Sequence, residues 1–142
     1  MKKVLFLFIA FGCIGITTEI FFTAIVDLID MFQNGSINYK LQGKSYIWMF
    51  PIYGLAGIFF PLFMPYFEKF HAIIRAAIYA TGILIIEFIT GALLDFFTGS
   101  CPWEYQYGWH VMGYIRIDYF PLWAGFGYMI ETIVKFLSKF KV

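Results

Sequence analysis

Ala72–Phe97, AIIRAAIYATGILIIEFITGALLDFF, is an apolar run whose charged residues are Arg75 near its start, Glu87 in its middle and Asp95 near its end. About 20 apolar residues in an α-helix, rising 1.5 Å each, cross the roughly 30 Å of hydrocarbon in a bilayer, so this stretch reads as a transmembrane helix. Working outward, Tyr46–Phe67 and Val4–Val26 before it and Tyr119–Leu137 after it approach the same length. With 61% hydrophobic, 23% aromatic and 13% charged residues, the 142-residue chain carries more apolar side chain than one soluble core of its size hides. The segments between the runs are short and polar. The expectation is an all-α, polytopic membrane protein. It is a single domain over residues 1–142 with four transmembrane helices at 4–26, 46–67, 72–97 and 119–137, and the lipid bilayer is its first partner.

Lys2 and Lys3 ahead of an apolar stretch also look like the start of a secretory signal. A signal's apolar region is typically about 7 to 15 residues and ends at a small-residue cleavage site. The run here is longer and holds Glu19, so it reads as a retained helix. Basic residues near helix ends resist translocation. Lys2, Lys3, Lys69, Arg75, Lys135, Lys139 and Lys141 fall on one side, against Lys40, Lys44 and Arg116 on the other, which predicts both termini in the cytoplasm and the loops Asn34–Lys44 and Thr98–Asp118 outside. The net charge of +1 and the lack of a basic stripe argue against nucleic-acid binding. Cys13 falls inside the first helix and Cys101 in the second outer loop, a placement that disfavours a disulfide, and neither belongs to a zinc signature. The sequence names no metal and no cofactor.

Three glutamates fall within the expected spans: Glu19, Glu87 and Glu131. A carboxylate at the centre of a membrane helix costs about 2.5 to 3.5 kcal/mol on insertion scales and marks, by default, a site facing a cavity or a partner. Helices one and three run the same way, and Glu19 and Glu87 each lie roughly 22 Å from the inner end, so they share a level. Glu131 lies about 18 Å below the outer start of helix four. Three carboxylates can therefore line one cavity opening outward. The plainer reading of Glu131 is an i,i+4 pair with Lys135, whose ammonium snorkels to the surface. Glu19 and Glu87 have no basic neighbour on their own helices and need tertiary partners.

Glycine and threonine recur near each glutamate, as Gly15 and Thr23, Gly82 with Thr90 and Gly91, and Gly127 with Thr132, which is compatible with a duplicated helical hairpin. In the second run, Pro51, Pro61 and Pro65 each remove a backbone donor, predicting a kinked helix with the peptide groups of Ile47 and Gly57 as candidates for irregular pairing. The second outer loop concentrates Cys101, Pro102, Trp103, Glu104, Tyr105, Trp109, His110, Arg116, Asp118 and Tyr119. Aromatics of this density belong at a membrane interface, and the ionisable groups among them suggest a cap above the Glu19 and Glu87 level. Arg116 is the candidate counter-charge for a buried carboxylate or an anionic ligand. His71 reads as a solvated turn residue.

Glu19, Phe50-Pro51-Ile52-Tyr53-Gly54, Glu87 with Thr90-Gly91-Ala92-Leu93-Leu94, Cys101-Pro102-Trp103-Glu104-Tyr105, Asp118-Tyr119 with Trp123, and Glu131 form a series along nearly the whole chain. In that series the chain resembles the ABC-transporter-permease family of the CmpB type and its vertebrate relatives, the transmembrane protein 229 family. Glu104 stands where the family more often has aspartate, and Gln106 where it often has serine. The resemblance implies a small multi-pass membrane protein with a transport role, and it adds Tyr53, Trp103, Glu104 and Tyr105 to the candidate binding residues. The chain holds no ATPase motif, so an ABC role implies a separate nucleotide-binding partner.

The functional expectation is a transporter, permease or channel-like component for a small solute or cation in a bacterial plasma membrane. Its substrate- or ion-binding candidates are Glu19, Tyr53, Glu87, Trp103, Glu104, Tyr105, Arg116, Asp118 and Glu131. A homo-oligomer or a larger membrane complex is the expected assembly. Two other classes fit the residues. One is an intramembrane enzyme using Glu19 and Glu87 with His110, and the other is an accessory subunit whose glutamates serve packing.

Overall fold

The computed structural model describes residues 2–35, 39–137 and 139. They form helices α1 (Lys2–Gln33), α2 (Met49–Phe67) and α3 (Ala72–Thr98), then a two-stranded antiparallel hairpin of β1 (His110–Val111) and β2 (Ile115–Arg116), a 3-10 turn at Ile117–Tyr119, and helix α4 (Phe120–Leu137). α1, α2 and α3 are long and apolar enough to cross a membrane. By that measure the chain is an α-helical membrane protein. α4 has 18 residues and carries Glu131 and Lys135, which lower its apolar content.

The helix ends differ from the expectation in ways the local chemistry explains. α1 runs on past Val26 to Gln33, because Asp27 and Asp30 interrupt the hydropathy without breaking the helix. α2 begins at Met49, leaving Tyr46–Trp48 outside it. Pro51 then falls in the first turn, where the missing N–H has no intrahelical acceptor to lose, so Ile47 is not deprived of a helical partner. α3 starts on His71, whose Nδ1 accepts from the Ile73 N–H at 3.5 Å, and stops on Gly99 in the left-handed region. The Gly99 N–H closes on the Asp95 carbonyl at 2.8 Å, which is the αL stop that glycine permits.

The mostly helical chain fits the all-α expectation, and a hairpin with strands of two residues each interrupts the connection between α3 and α4. His110 pairs with Arg116 and Val111 with Ile115, and the turn places Met112 at φ 53 and Gly113 at φ 78. Two successive positive φ values match the right-handed twist of the flanking strands, and the Tyr114 N–H closes on the Val111 carbonyl at 3.0 Å. Met112 bears the strain of a conformation that favours glycine.

The chain forms two compact units, the first ending at Leu62 and the second beginning at Phe63. In the first, α1 meets the start of α2 through reciprocal glycine and aromatic contacts. Phe50 lies on Gly12, Tyr53 on Gly15, Phe8 on Gly54 and Phe11 on Gly57. A Cβ at Gly15 would run into the Tyr53 ring, so only glycine admits it. The small residues let the backbones approach as membrane helices require. In the second unit, α3 packs on α4 around Tyr79, Ala80, Ile130 and Val134, with Tyr79 seated on Gly127.

Candidate functional site

In the second unit Glu87 projects from the middle of α3 and accepts a hydrogen bond on Oε1 from the Tyr105 hydroxyl at 2.7 Å. Its Oε2 has no hydrogen-bond partner among the described residues, and neither has the Trp123 indole N–H, although the indole stands beside the same carboxyl. Tyr105 arrives from the connection between α3 and α4. Burial, and the Glu87 carboxylate beside it, push the Tyr105 phenol well above the ordinary tyrosine range, so it remains a proton-bearing donor.

The connection is held against α3 by a series of polar contacts. The Tyr114 hydroxyl donates to Asp95 Oδ2 at 2.6 Å, and the Trp103 indole donates to the Tyr114 carbonyl at 3.1 Å. Tyr114 and the Cys101 sulfur both close on Gly91, where an added Cβ would meet them at 3.2 and 3.3 Å. Cys101 is buried and free, and burial raises its thiol pKa. The Tyr105 N–H donates to the Gly113 carbonyl at 2.8 Å, tying this segment to the hairpin turn.

Above Tyr105 lies an open cavity of about 240 Å³ lined by Glu104, Tyr105, Gln106, Tyr107 and Arg116. Arg116 makes two hydrogen bonds to the Asp118 carboxylate and one, from Nη1, to the Tyr119 hydroxyl at 2.9 Å. Its guanidinium carbon stands 4.0 Å from the centre of the Tyr119 ring. Asp118 Oδ1 also accepts the Trp109 N–H at 3.2 Å, and the guanidinium holds the Asp118 carboxyl below its ordinary range. Arg116 therefore takes Asp118, within its own loop, rather than one of the intramembrane glutamates. Gly108, at φ 80, leaves room for the guanidinium, which would lie 2.5 Å from any Cβ there.

Glu131 belongs to a different cluster. It is 3% exposed and receives Arg75 Nε at 2.9 Å on Oε2 and Arg75 Nη2 at 3.1 Å on Oε1, the planar two-pronged arrangement available to arginine. The Tyr79 hydroxyl donates at 2.9 Å and Lys135 Nζ at 2.6 Å, and Lys135 also reaches Glu68 at 3.3 Å. The expected Glu131–Lys135 pair is present inside this larger network. Arg75 Nη1 further donates to the Phe70 carbonyl at 2.8 Å, fixing the turn before α3. Tyr79 precedes Glu87 by eight residues, or about 12 Å along α3, so Glu131 meets the helix well away from the Glu87 level.

In the first unit, Glu19 Oε2 accepts from Ser45 Oγ at 3.0 Å and from the Tyr53 hydroxyl at 3.2 Å. One turn on, Thr23 Oγ1 accepts the Lys44 N–H at 2.8 Å. The extended segment before α2 thus lies along α1 with its polar groups matched to Glu19 and Thr23.

By hydrogen-bond partner, the site candidates group within each unit. Tyr53 joins Glu19. Tyr105 joins Glu87, with Glu104, Arg116, Asp118 and Trp103 around it in the cap, and Glu131 stands with Arg75. Sequence reasoning counted Arg75 only as a flanking charge and passed over Tyr79, Ser45 and Asp95. An arginine three residues into an apolar helix, level with an acid near the end of the antiparallel neighbour, was the available signal for the first of these. Among the described residues no group of three or more histidine, cysteine or acidic side chains is gathered as a metal site. No family model and no solved structure matches this chain.

Proposed function

We propose that the chain is a small permease-type membrane component that passes a small solute or cation, with Glu87 as the binding carboxylate and the α3–α4 connection as its cap. The observation that carries this reading is the unequal use of the Glu87 carboxylate. One oxygen is fixed by Tyr105 while the other, with only the Trp123 indole N–H beside it, stays open to a ligand or a proton. An intramembrane acid retained at that cost reads first as functional. Glu131, by contrast, has its charge offset by Arg75 and Lys135 and is assigned to structure.

In this reading α4 is the fourth span, both termini are cytoplasmic, and the cap faces outward in a bacterial plasma membrane. Membership of the CmpB-type permease family, and assembly as a homo-oligomer or within a larger complex, belong to the same proposal. Reconstituted protein tests it through flux of candidate solutes and of protons into liposomes. Glu87→Gln is expected to abolish flux while the protein stays folded. Flux that persists in Glu87→Gln would remove the carboxylate from the pathway.

A further inference from the structure

We propose that the cavity lined by Glu104, Tyr105, Gln106, Tyr107 and Arg116 binds a small organic monocation of the alkylammonium class. The inference deepens the permease reading by naming its ligand class, and rests on that reading only for the passage of the ligand once it is bound.

The sign of the charge is decided by what Arg116 already does. Its guanidinium makes two hydrogen bonds to Asp118 and one to Tyr119, and its central carbon lies over the Tyr119 ring. Asp118, also fixed by the Trp109 N–H, offsets the guanidinium charge, so an anion entering the cavity meets a neutral ion pair rather than a free cation. Glu104 has no hydrogen bond or ion pair among the described residues, is exposed, and lines the same cavity. The uncompensated charge at the cavity wall is therefore negative. The anionic-ligand role expected for Arg116 gives way to a scaffolding one, in which the Arg116–Asp118 pair shapes the wall.

The class of cation is set by the remaining walls. Tyr105 and Tyr107 contribute aromatic rings, and a ring quadrupole attracts a cation whose hydration is weak enough to shed. Alkylammonium ions meet that condition, whereas a compact metal ion needs several oxygen ligands in a shell. Tyr105 also connects the cavity to the buried site, since the same side chain that lines it donates to Glu87. A cation held beside Glu104 is one aromatic ring from the second carboxylate, so the two acids form successive stations.

Saturation-transfer NMR of tetramethylammonium with the protein in lipid nanodiscs tests this directly, with acetate as the anionic counterpart. Saturation of the tetramethylammonium methyls is expected, with binding weakened roughly fivefold or more in Glu104→Gln and by a few-fold in Tyr107→Leu. Both positions are exposed, so unchanged thermal unfolding will show that each variant is folded. The proposal is overturned if tetramethylammonium does not bind, if its affinity is the same in both variants, or if acetate binds in its place. Binding is read without flux. Glu104-dependent binding alongside flux that ignores Glu87 would sink the permease reading alone, and Glu87-dependent flux without tetramethylammonium binding would sink this inference alone.

Discussion

The Tyr105 hydroxyl reaches Glu87 from the connection that comes after Glu87's own helix. Glu87 lies eleven residues before the end of α3, about 16 Å along its axis, so the connection has to run back down the helix to meet it. Ser45 stands in the same relation to Glu19, reaching it from the segment between α1 and α2. Irregular backbone at membrane depth persists only where protein groups satisfy it, and polar side chains on each helix hold the connection that follows it. Thr23 does so for Lys44, while Asp95 anchors the second connection through Tyr114.

Removing the Tyr105 hydroxyl therefore tests whether Glu87 holds the cap. Tyr105→Phe leaves the ring but removes the 2.7 Å hydrogen bond to Glu87, and a hydrogen bond to a carboxylate is worth about 1.5 to 3 kcal/mol. Equilibrium unfolding in mixed micelles should show a loss of that order. Tyr53→Phe should cost less, because Ser45 continues to donate to Glu19. Equal losses in the two variants would mean that the acids do not differ in how they are satisfied.

Two glycine substitutions have opposite expected signs. Gly15→Ala drives a methyl into Tyr53 and should cost about 1 to 3 kcal/mol, the usual range for overpacking. Gly82 has open space where its Cβ would be, so Gly82→Ala should be neutral or stabilise by up to roughly 1 kcal/mol through helix propensity. Thermal unfolding of both variants checks the pair. A stable Gly15→Ala would show that the α1–α2 approach is looser than the glycine socket implies.

The helices were legible because apolar run length is dictated by bilayer thickness, and three of the four expected spans recur as long apolar helices. Their ends were less so. Asp27 and Asp30 look like a boundary on a hydropathy scale, yet a carboxylate disrupts no helical hydrogen bond, and α1 continues through them. The acids were found from cost alone, but their partners were not, since Arg75, Tyr79 and Ser45 become neighbours of Glu131 and Glu19 only through tertiary packing. The hairpin gave almost no signal. Its strands are two residues each, and its turn carries methionine where the pattern calls for asparagine, aspartate or glycine.

Glu131→Gln should be the most destabilising of the conservative changes at the three glutamates. Arg75, 14% exposed, would keep its charge with no carboxylate opposite, and Lys135 would lose its contact with a charged Glu131. Breaking one side of a buried pair is costly because the surviving charge stays desolvated. A melting temperature lower by about 5 °C or more is expected, with Glu104→Gln unchanged. If Glu131→Gln melts like the parent, the Arg75 contact is not a clamp.

Membrane orientation rests on the distribution of lysine and arginine and can be read by labelling. Single cysteines at Gln33 and Gln106, in a Cys13→Ala, Cys101→Ala background, should react with an impermeant maleimide in intact cells. A cysteine at Phe70 should react only after permeabilisation. The reverse pattern would place the cap and its cavity on the cytoplasmic side.

The Arg116–Asp118 pair gives the cap a predictable acid limit. Because Arg116 holds the folded-state pKa of Asp118 below its unfolded value, the pair's contribution is fully present above the ordinary aspartate range. It is lost as pH falls through the depressed folded value, where Asp118 takes up a proton. The Trp109 N–H also donates to Asp118, so Trp109 emission should report the loss in a protein whose other tryptophans are replaced by phenylalanine. The emission should hold steady from neutral pH down to the aspartate range and then change. Asp118→Asn should remove that step and show the altered emission at neutral pH. Arg116→Lys, which keeps the charge but cannot make the planar two-point contact, should move the step to higher pH by restoring Asp118 toward its ordinary acidity. A step unmoved by Arg116→Lys would mean that the charge alone, without the guanidinium geometry, sets the stability of the cap.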